Sequence, residues 1–328
     1  MNWSSVKNLL IAMLITANLL VLYNILAQNR SQGYIDEAEV KDAAALLAER
    51  GLLVDAAVIP LRRFDAVIYE SRYGEDYDYY IRAALIMTGC DVEMHNWMPS
   101  GSYRVTLKDG SAVEFDGEFG FVFSSADFQA NTTGGASYTD VTVENFAQMS
   151  RNGQELGSAR MQNLTAIALK ALEPEDTASD DAVLDAQVTA GYHDPVSGLS
   201  YLHVRQTADG WRIFNHEVVC VFEGDRLMQI KGHWYFAGLH ASYDEELYDQ
   251  VNILFSDLKT IKNGELTDAQ GSVMETPVRV TSMSACYSLF WDAEKTVLYF
   301  IPAWQIDHES GATVVYNAAN STIYWRSE

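Results

Sequence analysis

The sequence predicts an α+β protein, with an N-terminal transmembrane helix followed by antiparallel-sheet domains with packed helices. Three observations predict it. Asn8 to Asn29 is a run of 22 residues without a charged side chain, bounded by Lys7 and Arg30. Alternating apolar and polar segments recur from Tyr103 to Trp325, broken by Asp-Gly, Gly-Asp and Pro-Val-Ser-Gly turn signals. Other stretches carry apolar residues at helical spacing, most plainly Leu247, Val251, Leu254 and Leu258.

As a helix the charge-free run is about 33 Å long, enough to cross a hydrocarbon core of roughly 30 Å. Lys7 and the terminal amine precede it, and no acid does. Residues 31–328 hold 20 Lys+Arg against 45 Asp+Glu. The positive-inside rule then keeps the short tail in the cytoplasm and places the acidic bulk outside. The expected location is the cell membrane, single-pass, with most of the chain extracytoplasmic. A cleaved secretory signal is the weaker alternative, because its apolar core is normally about 7–15 residues. The best cleavage site, Ile25-Leu26-Ala27, also has a bulky first position. No Cys lies near the segment, which excludes lipoprotein processing. Trp3 and Tyr23 fall near the two interfaces, where amphipathic rings are favoured. Asn18 falls near the bilayer centre, in a seam of Ile11, Leu14, Asn18, Val21 and Ile25 at 3-4 spacing. A polar residue in such a seam can fix partner and register, so these five residues form the candidate transmembrane partner face.

Beyond the anchor (1–30), the first extracytoplasmic α+β unit spans 31–125. Asp36-x-x-Glu39 resembles a capping box. Val40, Ala43, Ala44 and Leu47 share one apolar face, and Gly51 stops the helix. Leu53–Pro60 reads as a strand, and Tyr79–Thr88 as a second helix closed by Gly89. Tyr103–Gly110 and Ala112–Ser124 read as a hairpin around Asp109-Gly110. A linker is expected at 126–137, where Asn131–Ser137 is small, polar and glycine-bearing. The second α+β unit, 138–240, opens with a helix near Leu156–Leu172 and an acidic loop, Glu173–Asp181. A β-meander follows: Ala186–Asp194, Leu199–Gln206, Trp211–Glu223 and Leu227–Phe236. The third unit, 241–328, starts at the capping box Ser242-x-x-Glu245 and its amphipathic helix. It closes with strands at Val278–Trp291, Val297–Ile306, Thr313–Asn317 and Thr322–Trp325. Tyr103–Gly110 and Tyr201–Gly210 both begin with Tyr and end in Asp-Gly, which fits duplication of a module or the ordinary likeness of hairpins.

With 48% apolar and 12% aromatic residues the outer part can build packed cores. Cys90, Cys220 and Cys286 are too few and too scattered for a disulfide framework. Cys220, inside Val218–Phe222, reads as a small core residue, although one pair could still bridge. The acidity excludes nucleic acid, which needs a basic face, and disfavours lying flat on anionic lipid.

Catalytic motifs are sparse. The sequence lacks His-Glu-x-x-His, Gly-x-Ser-x-Gly, a phosphate-cradling glycine loop and EF-hand spacing. Ser-x-x-Lys occurs at Ser256–Lys259 and again at Ser4–Lys7, in the tail. Its companion Lys-Thr-Gly and Ser-Asp-Asn motifs are missing, so solvated helix positions explain Ser256 and Lys259 better than a Ser/Lys hydrolase. His203, His216 and His233 fall on successive strands but lack the short fixed interval of a zinc site, and half-exposed strand histidines are expected. The acidic loop lacks the alternating ligands and turn glycine of a calcium loop. No catalytic, metal or cofactor residues are expected.

Three stretches carry a family resemblance. Met1-Asn-Trp-Ser-Ser-Val-Lys-Asn-Leu-Leu-Ile resembles the opening of YycI-type regulatory proteins of low-GC Gram-positive bacteria. Tyr201-Leu-His-Val-Arg-Gln-Thr-Ala-Asp-Gly-Trp-Arg-Ile-Phe is similar to that family's strand-turn-strand. Tyr299-Phe-Ile-Pro-Ala-Trp-Gln-Ile with Val314-Val-Tyr-Asn-Ala looks like its closing strands, which also resemble PepSY-like domains. The likeness covers the anchor and roughly residues 186–328, and residues 31–185 match in architecture alone. It implies a YycI-like fold with a PepSY-like C-terminal unit. It also implies a non-enzymatic regulator of the cell-wall sensor histidine kinase YycG (WalK), in the WalK/WalR two-component system. Such a protein acts through transmembrane contacts together with a YycH-like partner. An extracytoplasmic ligand- or peptide-binding module is the alternative.

Overall fold

The structure, a computed structural model, describes residues 34–62, 64, 66–71, 74, 76–133, 140–173, 184–243 and 247–327. The expected anchor with Ile11, Leu14, Asn18, Val21 and Ile25 lies outside these residues, as do positions 134–137 of the linker and 174–181 of the acidic loop. Among the described residues the protein is α+β. Its helices are α1 (Glu37–Glu49), α2 (Tyr77–Thr88), α3 (Ala126–Thr133), α4 (Val143–Ser150), α5 (Ser158–Leu172) and α6 (Gln250–Lys262). The strands are β1 (Leu52–Leu53), β2 (Ile68–Ser71), β3 (Val92–Trp97), β4 (Tyr103–Leu107), β5 (Ala112–Gly117), β6 (Gly120–Ser124), β7 (Gln154–Glu155) and β8 (Leu184–Asp194). They continue as β9 (Leu199–Ala208), β10 (Trp211–Glu223), β11 (Arg226–His233), β12 (His240–Tyr243), β13 (Val278–Asp292), β14 (Val297–His308), β15 (Thr313–Asn317) and β16 (Ile323–Arg326). No helix among the described residues is long and apolar enough to cross a membrane.

The chain forms two compact units, both discontinuous in sequence. The first comprises the described residues within 1–66, 245–285 and 302–328, and the second those within 67–244 and 286–301.

In the first unit, Asp36 caps α1 by accepting from the Ala38 amide, while Gly51 ends it at φ +98°, a conformation that favours glycine. Val40, Ala44 and Leu47 form the buried face of α1. The segment read as a strand, Leu53–Pro60, is largely something else. Only Leu52–Leu53 pairs, in parallel with Val278–Arg279. Asp55 then caps a 3₁₀ turn at Ala56–Val58 through the Ala57 amide, a local side-chain bond that competes with the ladder. The capping box at Ser242 does not start the next helix, since Ser242 lies in β12. Asp249 caps α6 instead, accepting from the Asn252 amide. Within this unit β14 pairs with β15 from Ala303↔Asn317 to Asp307↔Thr313, and β15 pairs with β16.

The second unit is dominated by antiparallel strands. Its sheet runs in the order β12-β2-β14-β13-β10-β11-β6-β5-β4-β3, with β9, β8 and β7 added on β10. The expected single strand Ala112–Ser124 is in fact two strands, because Glu118 and Phe119 both take positive φ (52° and 60°) and make a tight turn. Strands β2, β3, β7 and β12 and helices α3 and α4 carry weaker sequence patterns, and helix α3 occupies 126–133 of the segment expected to be a linker. Helix α4 opens on a capping box in which Thr142 and Asn145 bond each other's backbone amides. The meander follows the expected order. Its departure from regularity is in β10, where Arg212 still faces Thr207 but the next pair is Glu217↔Arg205. Residues 213–216 form a wide bulge with Asn215 at φ +58°. Inside it Ile213 leaves β9 and pairs in parallel with Tyr287 of β13. Buried Gln206 is doubly satisfied, donating to Tyr235 O (2.6 Å) and accepting from Tyr235 N (3.0 Å). Tyr235 stacks on Tyr79 at 5.6 Å. Cys220 and Cys286 are buried free thiols and Cys90 is half-buried and free; burial pushes the Cys220 thiol up.

Candidate functional site

Ser256 and Lys259 sit one helical turn apart on α6 but form no nucleophile–base pair. The Ser256 hydroxyl donates to Asn252 O (3.2 Å), while Lys259 is exposed near the helix C-terminus. Between them lies a residue that sequence reasoning missed. Asp257 is fully buried, with its Oδ1 accepting from Tyr316 OH at 2.9 Å and lying 3.4 Å from His308 Nε2. The available signal was position: Asp257 lies three residues after Leu254 and one before Leu258, on the buried side of an amphipathic helix. Desolvation beside Asp257 pushes the Tyr316 phenol up. All three members are buried, and they tie α6 to β14 and β15 within the first unit.

The three strand histidines do not converge, and no group of His, Cys, Asp or Glu among the described residues is placed to hold a metal ion. His203 on β9 stands 2.9 Å from Glu217 Oε2. Arg205 Nε donates to Glu217 Oε1 at 2.6 Å. Burial pushes the Glu217 carboxyl up, but the bonds from His203 and Arg205 outweigh it and hold it down at about 2. His216 corrects the expectation of half-exposed histidines, because the β10 bulge turns it inward and neither ring nitrogen has a hydrogen-bond partner among the described residues. Burial, with His233 nearby, lowers it to about 3.

This burial makes the protein acid-sensitive. The unfolded His216 takes a proton near pH 6.5, whereas the folded one does so only near pH 3. Stability is therefore lost as pH falls from 6.5 towards 3, by about 2 kcal/mol at pH 5. Glu217 adds a second loss from its ordinary value near 4.5 down to about 2. His216→Leu is expected to flatten the upper part of this slope, measured as urea midpoints at pH 7 and pH 5. An unchanged slope would show that His216 is not its source.

The surface feature best suited to a partner is strand β3. Among the described residues it pairs with β4 alone and ends the sheet. Glu93 to Trp97 are all exposed, with Met94 at 57% and Trp97 at 61%. Trp97 stays fixed by edge contacts with Tyr80 (6.3 Å) and Tyr103 (5.0 Å). A bulge between Val92 and Met94 confines the regular ladder to Met94–Trp97. Main-chain groups on the outer side of such a strand can template one more strand.

The fold defines an α+β protein with a large mixed sheet that ends on this edge. No family model matches the chain, and no curated protein matches it. Among solved structures it is similar to an uncharacterized protein from Eubacterium rectale ATCC 33656, determined at 1.45 Å resolution. Identity is 11% and the TM-score 0.46, over 84% of this chain and 91% of that one.

Proposed function

We propose that this chain is a non-enzymatic, membrane-anchored extracytoplasmic regulator of a sensor histidine kinase in a cell-wall-related two-component system. It works through its transmembrane helix and its outer domain, with a WalK/YycG-like kinase and a YycH-like protein as partners. The resemblance at the N-terminus, the meander and the closing strands supports this reading. The observation that carries the outer contact is the edge strand β3, which among the described residues pairs with β4 alone and whose exposed Met94 and Trp97 suit an extended segment of the partner's outer domain. Membrane contact rests on Asn18, whose amide contributes about 0.6–2 kcal/mol when it bonds across helices.

Asn18→Leu in the full-length protein is expected to weaken co-purification with the kinase or the YycH-like partner by roughly 3- to 30-fold. Trp97→Arg is expected to weaken it further by blocking the β3 edge. Unchanged association in both variants would sink the regulator reading. The β3 edge also suits the second reading, an outer peptide-binding module. That module predicts full partner binding by the soluble fragment 31–328 and no effect of Asn18→Leu.

A further inference from the structure

In the first unit, a pocket of about 280 Å³ lies where the C-terminal ends of α1 and α6 meet, lined by Arg50, Phe255, Leu258, Lys259, Lys262 and Asn263. Three of its six lining residues are cations in a chain with 22 basic and 45 acidic residues. All three are exposed. None forms an ion pair with the described residues. Glu265 reaches the rim by accepting from Asn263 Nδ2 at 2.8 Å rather than by pairing with one of the three cations. Arg50 Cζ stands 6.0 Å from the Phe255 ring centroid, so the guanidinium leans on the pocket's apolar wall.

Helix ends explain part of this charge. Arg50 and Asn263 are the C-caps of α1 and α6, and each helix C-terminus carries about half a negative charge that favours nearby cations. Two such ends offset about one of the three cations, and three cationic donor groups still converge on one small pocket. A carboxylate offers these donors two acceptor oxygens. A phosphate group concentrates about 1.5 to 2 negative charges and three acceptor oxygens on one centre, and a guanidinium with two ammonium groups supplies matching donors. We propose that this pocket binds a multiply charged phosphate group, with Phe255 and Leu258 contacting its apolar ester substituent. The phosphate comes either from a soluble ligand or from a lipid headgroup. This site is independent of the regulator reading and of the β3 edge.

The test uses full-length protein in nanodiscs of neutral phosphatidylcholine, with amine acylation of Lys259 and Lys262 read by mass spectrometry. One arm adds inorganic pyrophosphate or acetate, and the other places phosphatidic acid in the nanodisc. Saturable protection by pyrophosphate, about tenfold weaker in Arg50→Gln, supports a soluble phosphate. Protection by phosphatidic acid alone, also weakened in Arg50→Gln, supports a headgroup. Lys262→Gln, read at Lys259, repeats the test should Arg50→Gln unfold. Protection by neither probe, equal protection by acetate, or unaltered protection in the variants would overturn the proposal.

Discussion

Trp304→Ala is expected to destabilise the first unit by about 3–5 kcal/mol, read as a drop in the urea midpoint. Trp304 is fully buried in β14 opposite Tyr316. Its ring meets Phe64 edge-on at 5.8 Å, and its indole N–H donates to Tyr248 O at 3.2 Å. Truncation removes the apolar volume, leaves a cavity and takes the donor from a backbone carbonyl. Trp304→Phe keeps most of the ring and is expected to cost clearly less than the alanine. A loss below about 1 kcal/mol for Trp304→Ala would mean that the site collapses freely around the cavity.

Gly232→Ala is expected to be of similar severity in the second unit, for a different reason. Gly232 lies on β11 between Val218 of β10 and Phe121 of β6. A Cβ there would overlap the Glu217 carbonyl oxygen and stand 2.9 Å from Val218 Cα, with φ at +143°. Both obstacles are backbone, so no side-chain rotation relieves them. Overpacking costs about 1–3 kcal/mol and the strained φ a comparable amount. Gly210→Ala separates the two effects, since Gly210 also has positive φ (79°) but open space where a Cβ would stand. It is expected to lose only about 1 kcal/mol. Equal losses at the two glycines would show that φ alone is responsible.

Much of the fold was legible because it is written locally. The Asp36 and Gly89 caps, the Asp109-Gly110 and Asp209-Gly210 turns and the short apolar runs of β9 and β10 all act within a few residues. What was missed depends on distant partners. Strand β2 exists because β12 and β14 lie on either side of it. Strand β3 has no apolar alternation to announce it, since it is an edge with an exposed face. The start of α6 was misplaced because Ser242 and Asp249 are both good caps, and pairing of His240–Tyr243 with β2 settles the choice. The inward turn of His216 follows from a bulge that alternation alone would never place. Asp257 was hidden by its type, for an acid between Leu254 and Leu258 reads as a solvated interruption until His308 and Tyr316 are seen around it. The cationic pocket likewise joins Arg50 to residues more than 200 positions later.

The discontinuity of the first unit sets an order of events for a chain made N-terminus first. Helix α1 and Leu52–Leu53 emerge early, yet their neighbours are α6 and Val278–Arg279. The apolar stripe of Val40, Ala44 and Leu47 therefore waits through more than 200 residues of synthesis, a long loop to close. The meander β8–β11 is built of sequence neighbours and can close at once. A chain that stops before residue 250 leaves that stripe without α6, and displays it to chaperones and proteases. The first unit thus closes only after segments from 1–66, 245–285 and 302–328 have all been made.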